Sequence, residues 1–200
     1  MKFVALILIL FNNICMAAPT LQELSKILAT EIQSPVRQFS TRDYGREKYL
    51  EAVSVLVPEH TAKNDLLRIR KILPEGAHAF VGTTRNLSKQ GAEGVELVVF
   101  ASDNHLDILR VAQTDGVNFG LTTESIVSKL ESWNKEYGVD IWQAETDTIQ
   151  LTLNILPADL EAFQKEVYAF CPDIVDQGSG NINDIGNYLK QGKAVYLWWD

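Results

Sequence analysis

Cys171 is the side chain of this sequence whose type could by itself support covalent chemistry. A thiolate is a strong nucleophile, and the end of a helix can shift the pKa of a thiol. The spacing of Phe163 and Val167, however, places Cys171 at the carboxyl end of a helix, where the negative end of the helix dipole disfavours a thiolate. It also places the thiol on the buried stripe of that helix, and no histidine has a spacing that relates it to Cys171. The sequence therefore predicts a buried, unreactive cysteine.

Several carboxylates near the carboxyl end of the chain form a second candidate site. Asp173 and Asp176 flank a glycine-containing turn, Glu145 and Asp147 lie at predicted strand ends, and Asp200 follows the last predicted strand. Ca²⁺ and Mg²⁺ prefer oxygen ligands, but this segment lacks the alternating Asp and Asn residues of a calcium-binding loop. Two interpretations stay open: solvated acids at turns and helix ends, or a hydrolase-like site that uses Asp173, Asp176 and Asp200, with or without a divalent cation.

Trp198 and Trp199 belong to the last apolar segment of the sequence. Successive side chains of a strand point to opposite faces, so one indole is expected in the core and the other over a helix or at a contact surface. An exposed tryptophan is typical of binding hot spots. The residues predicted as a candidate functional surface are Asp173, Asp176, Trp198, Trp199 and Asp200.

No pattern in the sequence indicates a metal or a cofactor. The three histidines are scattered and have no ligand spacing with a cysteine. Residues 178–180, Gly-Ser-Gly, precede a predicted helix as a phosphate-binding loop would, but acids lie nearby and the loop has no lysine, so a plain turn is expected. We therefore assign no catalytic residue, no metal ligand and no cofactor-binding residue.

The first seventeen residues have the anatomy of a secretory signal peptide. Lys2 supplies a positive charge, residues 3–11 are an unbroken apolar run, and Ala17 provides a small residue at the predicted cleavage site. The apolar run is much shorter than the ~20 residues that a bilayer-spanning helix needs. Lipidation at Cys15 is disfavoured because Ile14, and not a small residue, precedes it. We expect export to the periplasm or the exterior of a bacterial cell, without membrane insertion after cleavage.

The charge of the chain is acidic. Eighteen Lys and Arg face 26 Asp and Glu, a formal charge of −8, and removal of residues 1–17 takes away one lysine and leaves −9. A nucleic-acid-binding face needs clustered cations to displace the counterions of phosphate, and the sequence has no such cluster. The charge argues against a nucleic-acid partner and favours encounter with a basic protein.

The sequence predicts one globular α+β domain over residues 18–200, with a mixed β-sheet packed by several helices. With Cys15 in the signal peptide, Cys171 is alone and no internal disulfide can form, so a packed core must hold the fold. Apolar periodicity predicts helices over residues 20–33, 62–73, 122–138, 157–170 and 181–192, a short helix near 106–111, and strands over 49–57, 77–83, 95–101, 139–142, 149–153 and 194–199. Helices and strands interleave without a regular βα repeat, which is typical of α+β folds.

Four motifs in the second half of the chain carry a family resemblance. They are TDGVNFG (residues 114–120), LESW (130–133), FCPDIVDQG (170–178) and LWWD (197–200). In this order, over about residues 95–200, the chain resembles an uncharacterised bacterial family, the domain of unknown function numbered 4253. The resemblance implies a fold of mixed helices and strands, and it implies no activity.

The absence of a nucleophile, metal or cofactor pattern, the predicted export and the acidic charge together favour a non-enzymatic function. The leading hypothesis is an exported acidic binding module, of an inhibitor or immunity type, that holds a basic protein partner. The alternative is the hydrolase-like enzyme with Asp173, Asp176 and Asp200. Convergence of the three carboxylates in one pocket would favour the enzyme, and scattered exposed acids would favour the binding module.

Overall fold

The computed structural model describes residues 18–41, 48–82 and 94–200, so the predicted signal peptide lies outside the described residues. Six α-helices and seven strands form within these ranges. The helices are α1 (Leu21–Ile32), α2 (Glu59–Arg70), α3 (Ile108–Ala112), α4 (Thr123–Tyr137), α5 (Leu160–Phe170) and α6 (Asn183–Gly192). The strands are β1 (Arg37–Ser40), β2 (Lys48–Val57), β3 (Ala77–Val81), β4 (Val95–Ala101), β5 (Val139–Ala144), β6 (Thr148–Leu153) and β7 (Ala194–Trp198).

The strands of the described ranges all join one sheet, in the order β1-β2-β4-β3-β5-β6-β7. Neighbouring strands are antiparallel except β3 and β5, which run parallel. The mixed sheet and the interspersed helices confirm the predicted α+β fold. The sequence does not predict β1, because its four residues contain one apolar side chain, Phe39, and so show no alternation.

The junction of β3 and β5 is closed by an arginine. Of the described residues, only Val81 and Gln143 are registered across it. Beyond that pair, Arg70 at the end of α2 reaches between the two strands, where its Nε donates to the carbonyl of Ala79 at 2.9 Å and a terminal nitrogen donates to the carbonyl of Ile141. The guanidinium thus satisfies backbone groups that a continuous ladder would otherwise pair.

The helices cover the two faces of the sheet unequally. On one face, α1 and α2 pack mainly over β2, β3 and β4, and Val55 and Leu97 are fully buried beneath them. On the other face, α3 to α6 cover a larger core that contains Trp133, Phe163 and Trp199. Because α1 and α2 lie over the β2–β4 region, the face of β5, β6 and β7 on their side is left open in the described part of the chain.

Polar side chains cap the first turns of α1 and α6. Thr20 and Glu23 form a reciprocal capping box at the start of α1. At α6, the side-chain oxygen of Asn181 accepts the backbone N–H of Asn183 at 3.1 Å, as a cap would. Asp184 lies in the first turn of α6, which begins at Asn183.

Candidate functional site

The three acidic residues of the hydrolase-like alternative differ in burial and in hydrogen bonding. Asp173 is 5% exposed, and its Oδ2 accepts the backbone N–H of Asp200 at 2.9 Å. Asp176 is exposed, and its Oδ1 accepts the hydroxyl of Tyr168 at 2.9 Å. The side chain of Asp200 is exposed at the end of the sheet. Asp173 thus orders the last residues of the chain, and none of the three lines the groove described below.

The two tryptophans lie on opposite faces, as the strand alternation predicts. Trp199 is 3% exposed in the helix-covered core, with its ring 5.5 Å from that of Phe170 in an edge-to-face arrangement. Gly116 lies against this indole, where a Cβ would come within 3.0 Å of the indole Cγ. Trp198 is half-buried and lines the open side of the sheet. Of the pair, Trp198 is the tryptophan that a ligand can contact.

Cys171 is fully buried, as predicted, and it holds the last strand. Its Sγ accepts the backbone N–H of Trp198 at 3.1 Å and donates to the carbonyl of the same residue at 3.0 Å. Burial raises the pKa of the Cys171 thiol to about 12. The thiol therefore takes the place of a neighbouring strand along this part of β7.

We expect Cys171 to react with a disulfide reagent only after the protein unfolds, since the reactive thiolate is both inaccessible and disfavoured. The measurement is the release of thionitrobenzoate by residues 18–200, which lack Cys15, in the native state and in denaturant. A Glu161→Cys variant, which adds an exposed thiol on α5, is the matched positive control. Labelling of native wild-type protein as fast as that of the control thiol would contradict the expectation.

A groove of about 430 Å³ lies on the open face of β5, β6 and β7, beside α2. Aromatic and amide side chains of the three strands form its floor, and two charged side chains of α2 line it from the side. The turn of residues 145–147, between β5 and β6, contributes two carboxylates at its rim. We call it the sheet groove and define it by Glu59, Lys63, Trp142, Gln143, Glu145, Asp147, Gln150, Tyr196 and Trp198.

A β-bulge in β5 shapes the floor of the sheet groove. The register with β6 shifts between Ile141, which faces Leu151 in the core, and Gln143, which faces Gln150. One extra residue at this point lets two consecutive side chains, Trp142 and Gln143, both line the groove. In a regular strand they would point to opposite faces, and Gln143 would enter the apolar core.

The polar side chains of the floor are ordered by hydrogen bonds before any ligand arrives. The Nε2 of Gln150 donates to Oε1 of Gln143 at 2.8 Å, and the Nε2 of Gln143 donates to Oε1 of Glu145 at 2.8 Å. At the other side of the turn, the Thr148 hydroxyl donates to Oδ1 of Asp147 at 2.8 Å. These bonds fix the direction of both carboxylates at the rim.

The field in the sheet groove is negative. Among the described side chains that line it, Glu59, Glu145 and Asp147 are acidic and Lys63 is basic. Burial raises the pKa of the Tyr196 hydroxyl, and the negative charges of Asp147 and Glu145 raise it further. Burial is the larger cause of this shift, and the two rim carboxylates add to it.

Two of the sequence motifs support the turn at the rim. Its three consecutive carbonyls each accept a hydrogen bond from TDGVNFG or LWWD. The bonds are Thr114 Oγ1 to Glu145 O at 2.6 Å, Asp115 N to Thr146 O at 2.9 Å and Trp199 N to Asp147 O at 3.0 Å. Thr114 is itself fully buried, so the turn is attached to the core of the domain. The motifs therefore position the two carboxylates of the sheet groove.

The third motif supports the strand that carries the groove's second tryptophan. Cys171 bonds the backbone of Trp198, and Asp173 bonds the backbone of Asp200.

The chain matches the family model described as Domain of unknown function (DUF4253) over residues 96–200. The chain belongs to the DUF4253 family. No curated protein and no solved structure matches it significantly.

The DUF4253 portion contains the strands of the groove floor, the acidic turn and all of its motif supports, whereas α2 precedes it. Four of these floor residues were not predicted as candidates from the sequence: Trp142, Gln143, Gln150 and Tyr196. One signal was present in β6, where Thr148, Gln150 and Thr152 alternate with apolar residues and so indicate a face without a helix. The bulge that brings Gln143 to that face leaves no such pattern.

No group of three or more His, Cys, Asp and Glu side chains is placed to hold a metal ion within residues 18–41, 48–82 and 94–200. In the same ranges, no helix combines the length and the apolar character needed to cross a membrane.

Proposed function

We propose that this DUF4253 protein is an exported binding module that holds a basic protein partner in the sheet groove, in the manner of an inhibitor or immunity protein. The observation that supports it most strongly is the acidic turn at the rim, whose three carbonyls are held by two family motifs. Groups that are rigid before binding lose little conformational entropy when a partner docks, so preorganisation favours affinity. The hydrogen bonds from the two motifs hold this turn in position before a partner binds.

The composition of the sheet groove supports a protein partner. Trp198 and Tyr196 offer amphipathic rings at an open surface, and such residues dominate the binding energy of protein interfaces. The rim and the chain as a whole are acidic, with a formal charge of −8. Complementary charge accelerates the encounter with a basic partner and disfavours acidic competitors.

Export is part of the proposal and rests on the sequence. The charged start, the short apolar run and the small residues near Ala17 are signal-peptide features. The proposed place of action is therefore the periplasm or the exterior of a bacterial cell, where a module without an internal disulfide depends on its packed core.

The test compares partner capture by wild-type protein and by a Glu145→Gln/Asp147→Asn variant, which keeps the shape of the rim and removes two charges. Extracts of producing and of competing cells supply the partners. We expect the variant to bind the captured basic protein about tenfold more weakly or worse, and wild-type binding to weaken with added salt. The captured partner is purified, and its dissociation constant is measured with the wild-type protein and with the variant.

The matched control is Glu124→Gln/Glu161→Gln, which removes two exposed charges from α4 and α5 on the opposite face. It should bind the partner as wild-type protein does, apart from a small loss of association rate. Equal weakening in both double variants would show a diffuse charge effect and would refute the groove as the site. Recovery of no specific partner from either extract would refute the binding function.

A further inference from the structure

We infer that the sheet groove takes a single cationic side chain, an arginine or a lysine of the partner, between the rings of Trp198 and Tyr196 and the carboxylates of the turn 145–147. This inference rests on the proposed function and names the chemical group that the groove recognises. It follows from three features of the groove: a cation that the chain itself places there, a second aromatic surface, and carboxylates in register with that surface.

The chain already places one ammonium group in the sheet groove. The Nζ of Lys63, on α2, lies 4.4 Å from the ring centroid of Trp142. A cation at this distance over an indole is attracted by the negative face of the ring. The contact shows that the groove and its aromatic floor accommodate a positive charge. Lys63 covers Trp142 on β5, whereas Trp198 lies on β7, on the other side of β6.

The second aromatic surface and the acidic turn are adjacent in the strand register. Trp198 pairs with Thr148, the residue that follows Asp147, and Tyr196 pairs with Gln150 on the same face. A side chain that stacks on these rings therefore lies within reach of the rim carboxylates. A guanidinium combines a flat face for stacking with donors for carboxylates, and an ammonium offers the same charge without the flat face.

Neutral ligands are the competing occupants, because amides and indoles also bind flat uncharged molecules such as sugars. The negative charge of the groove favours a cation over a neutral ligand. Of the four charged side chains that we name in it, three are acidic, and its one base already lies over an aromatic ring. A cationic group gains from this field, and a neutral one does not.

The test is a titration of the ¹⁵N-labelled mature protein, followed through its indole N–H signals. The chain has four tryptophans. Two line the groove, Trp142 and Trp198, and two are buried on the opposite face, Trp133 and Trp199, so the buried pair is an internal control. The probes are N-acetyl-argininamide and N-acetyl-lysinamide, with the neutral analogues N-acetyl-citrullinamide and N-acetyl-norleucinamide and a neutral disaccharide.

We expect both cationic probes to shift the signal of Trp198 saturably, and to leave those of Trp133 and Trp199 unchanged. Glu145→Gln/Asp147→Asn should weaken this response about tenfold, while Glu124→Gln/Glu161→Gln should not change it. Tyr196→Ala, on an exposed side chain, should weaken it as well. Unchanged signals of the two buried indoles verify that each variant is folded.

The results separate this inference from the proposed function. Equal shifts with neutral and cationic probes, or a response to the disaccharide alone, would overturn the cationic assignment. Absence of a saturable shift at Trp198 would also overturn it, even if partner capture depends on the acidic turn. A saturable cationic response would support it even if no cellular partner is recovered. A stronger response to arginine than to lysine would identify stacking as the source of selectivity.

Discussion

Replacement of Trp199 by alanine is expected to lower the free energy of unfolding by about 3–5 kcal/mol, the usual cost of removing a core aromatic side chain. The indole is 3% exposed, packs edge-to-face on Phe170 and fills the space beside Gly116. Its Nε1 also donates to the carbonyl of Phe170 at 3.3 Å. Alanine would leave a cavity and an unpaired carbonyl in the same place, and both effects are unfavourable.

The neighbouring tryptophan is the matched control for this prediction. Trp198→Ala should cost clearly less than Trp199→Ala, because Trp198 is half-buried at the sheet groove. Trp199→Phe should cost an intermediate amount, since it keeps a ring and loses the hydrogen bond. Urea unfolding, followed by circular dichroism, measures the free energy of unfolding of all three variants. Their midpoints are compared on the condition that the dependence of this free energy on urea is unchanged. Equal midpoints for the two alanine variants would contradict the assignment of Trp199 to the core.

Periodicity was sufficient to predict most of the helices and strands, because their apolar residues repeat at helical or strand spacing. Leu24 and Leu28 define the buried stripe of α1, and the alternation of Val53, Val55 and Val57 defines β2. Trp198 and Trp199 fall on opposite faces for the same reason. The order of the strands could not be predicted, since it depends on contacts between segments far apart in sequence. The open face beside α2 follows from that order.

The site was predictable only in part, because acids at strand ends look alike in sequence. Glu145 and Asp147 were recognised as strand-end carboxylates, and so were others. Glu145 and Asp147 differ from the other strand-end acids because their turn is held by Thr114, Asp115 and Trp199, which come from two distant motifs. Asp173, a candidate by composition, instead bonds the backbone of the last residue. The sequence motifs therefore contain the residues that hold the turn 145–147 in place. They did not indicate that this turn, and not Asp173, belongs to the candidate site.

Replacement of Glu96 by methionine is expected to lower the free energy of unfolding by about 3 kcal/mol, the low end of the cost of breaking a buried ion pair. Glu96 is fully buried in β4, and its Oε1 accepts Ser54 Oγ at 2.8 Å and Arg37 Nε at 3.1 Å. Without the carboxylate, the guanidinium and the hydroxyl lose a charged acceptor. The Arg37 side chain is 34% exposed, so water offsets part of the loss.

The double variant Arg37→Met/Glu96→Met decides whether this loss belongs to the ion pair. Removal of both charges leaves no uncompensated charge, although Ser54 still lacks its acceptor, so the double variant should be more stable than Glu96→Met alone. Arg37 lies in β1, which precedes the family match. Glu96 is the first residue of that match. A favourable coupling energy in one unfolding transition would therefore show that the segment before residue 96 and the DUF4253 portion unfold together. Simple additivity of the two single variants would contradict the ion pair as the source of the loss, and two separate transitions would contradict a single cooperative domain over residues 18–200.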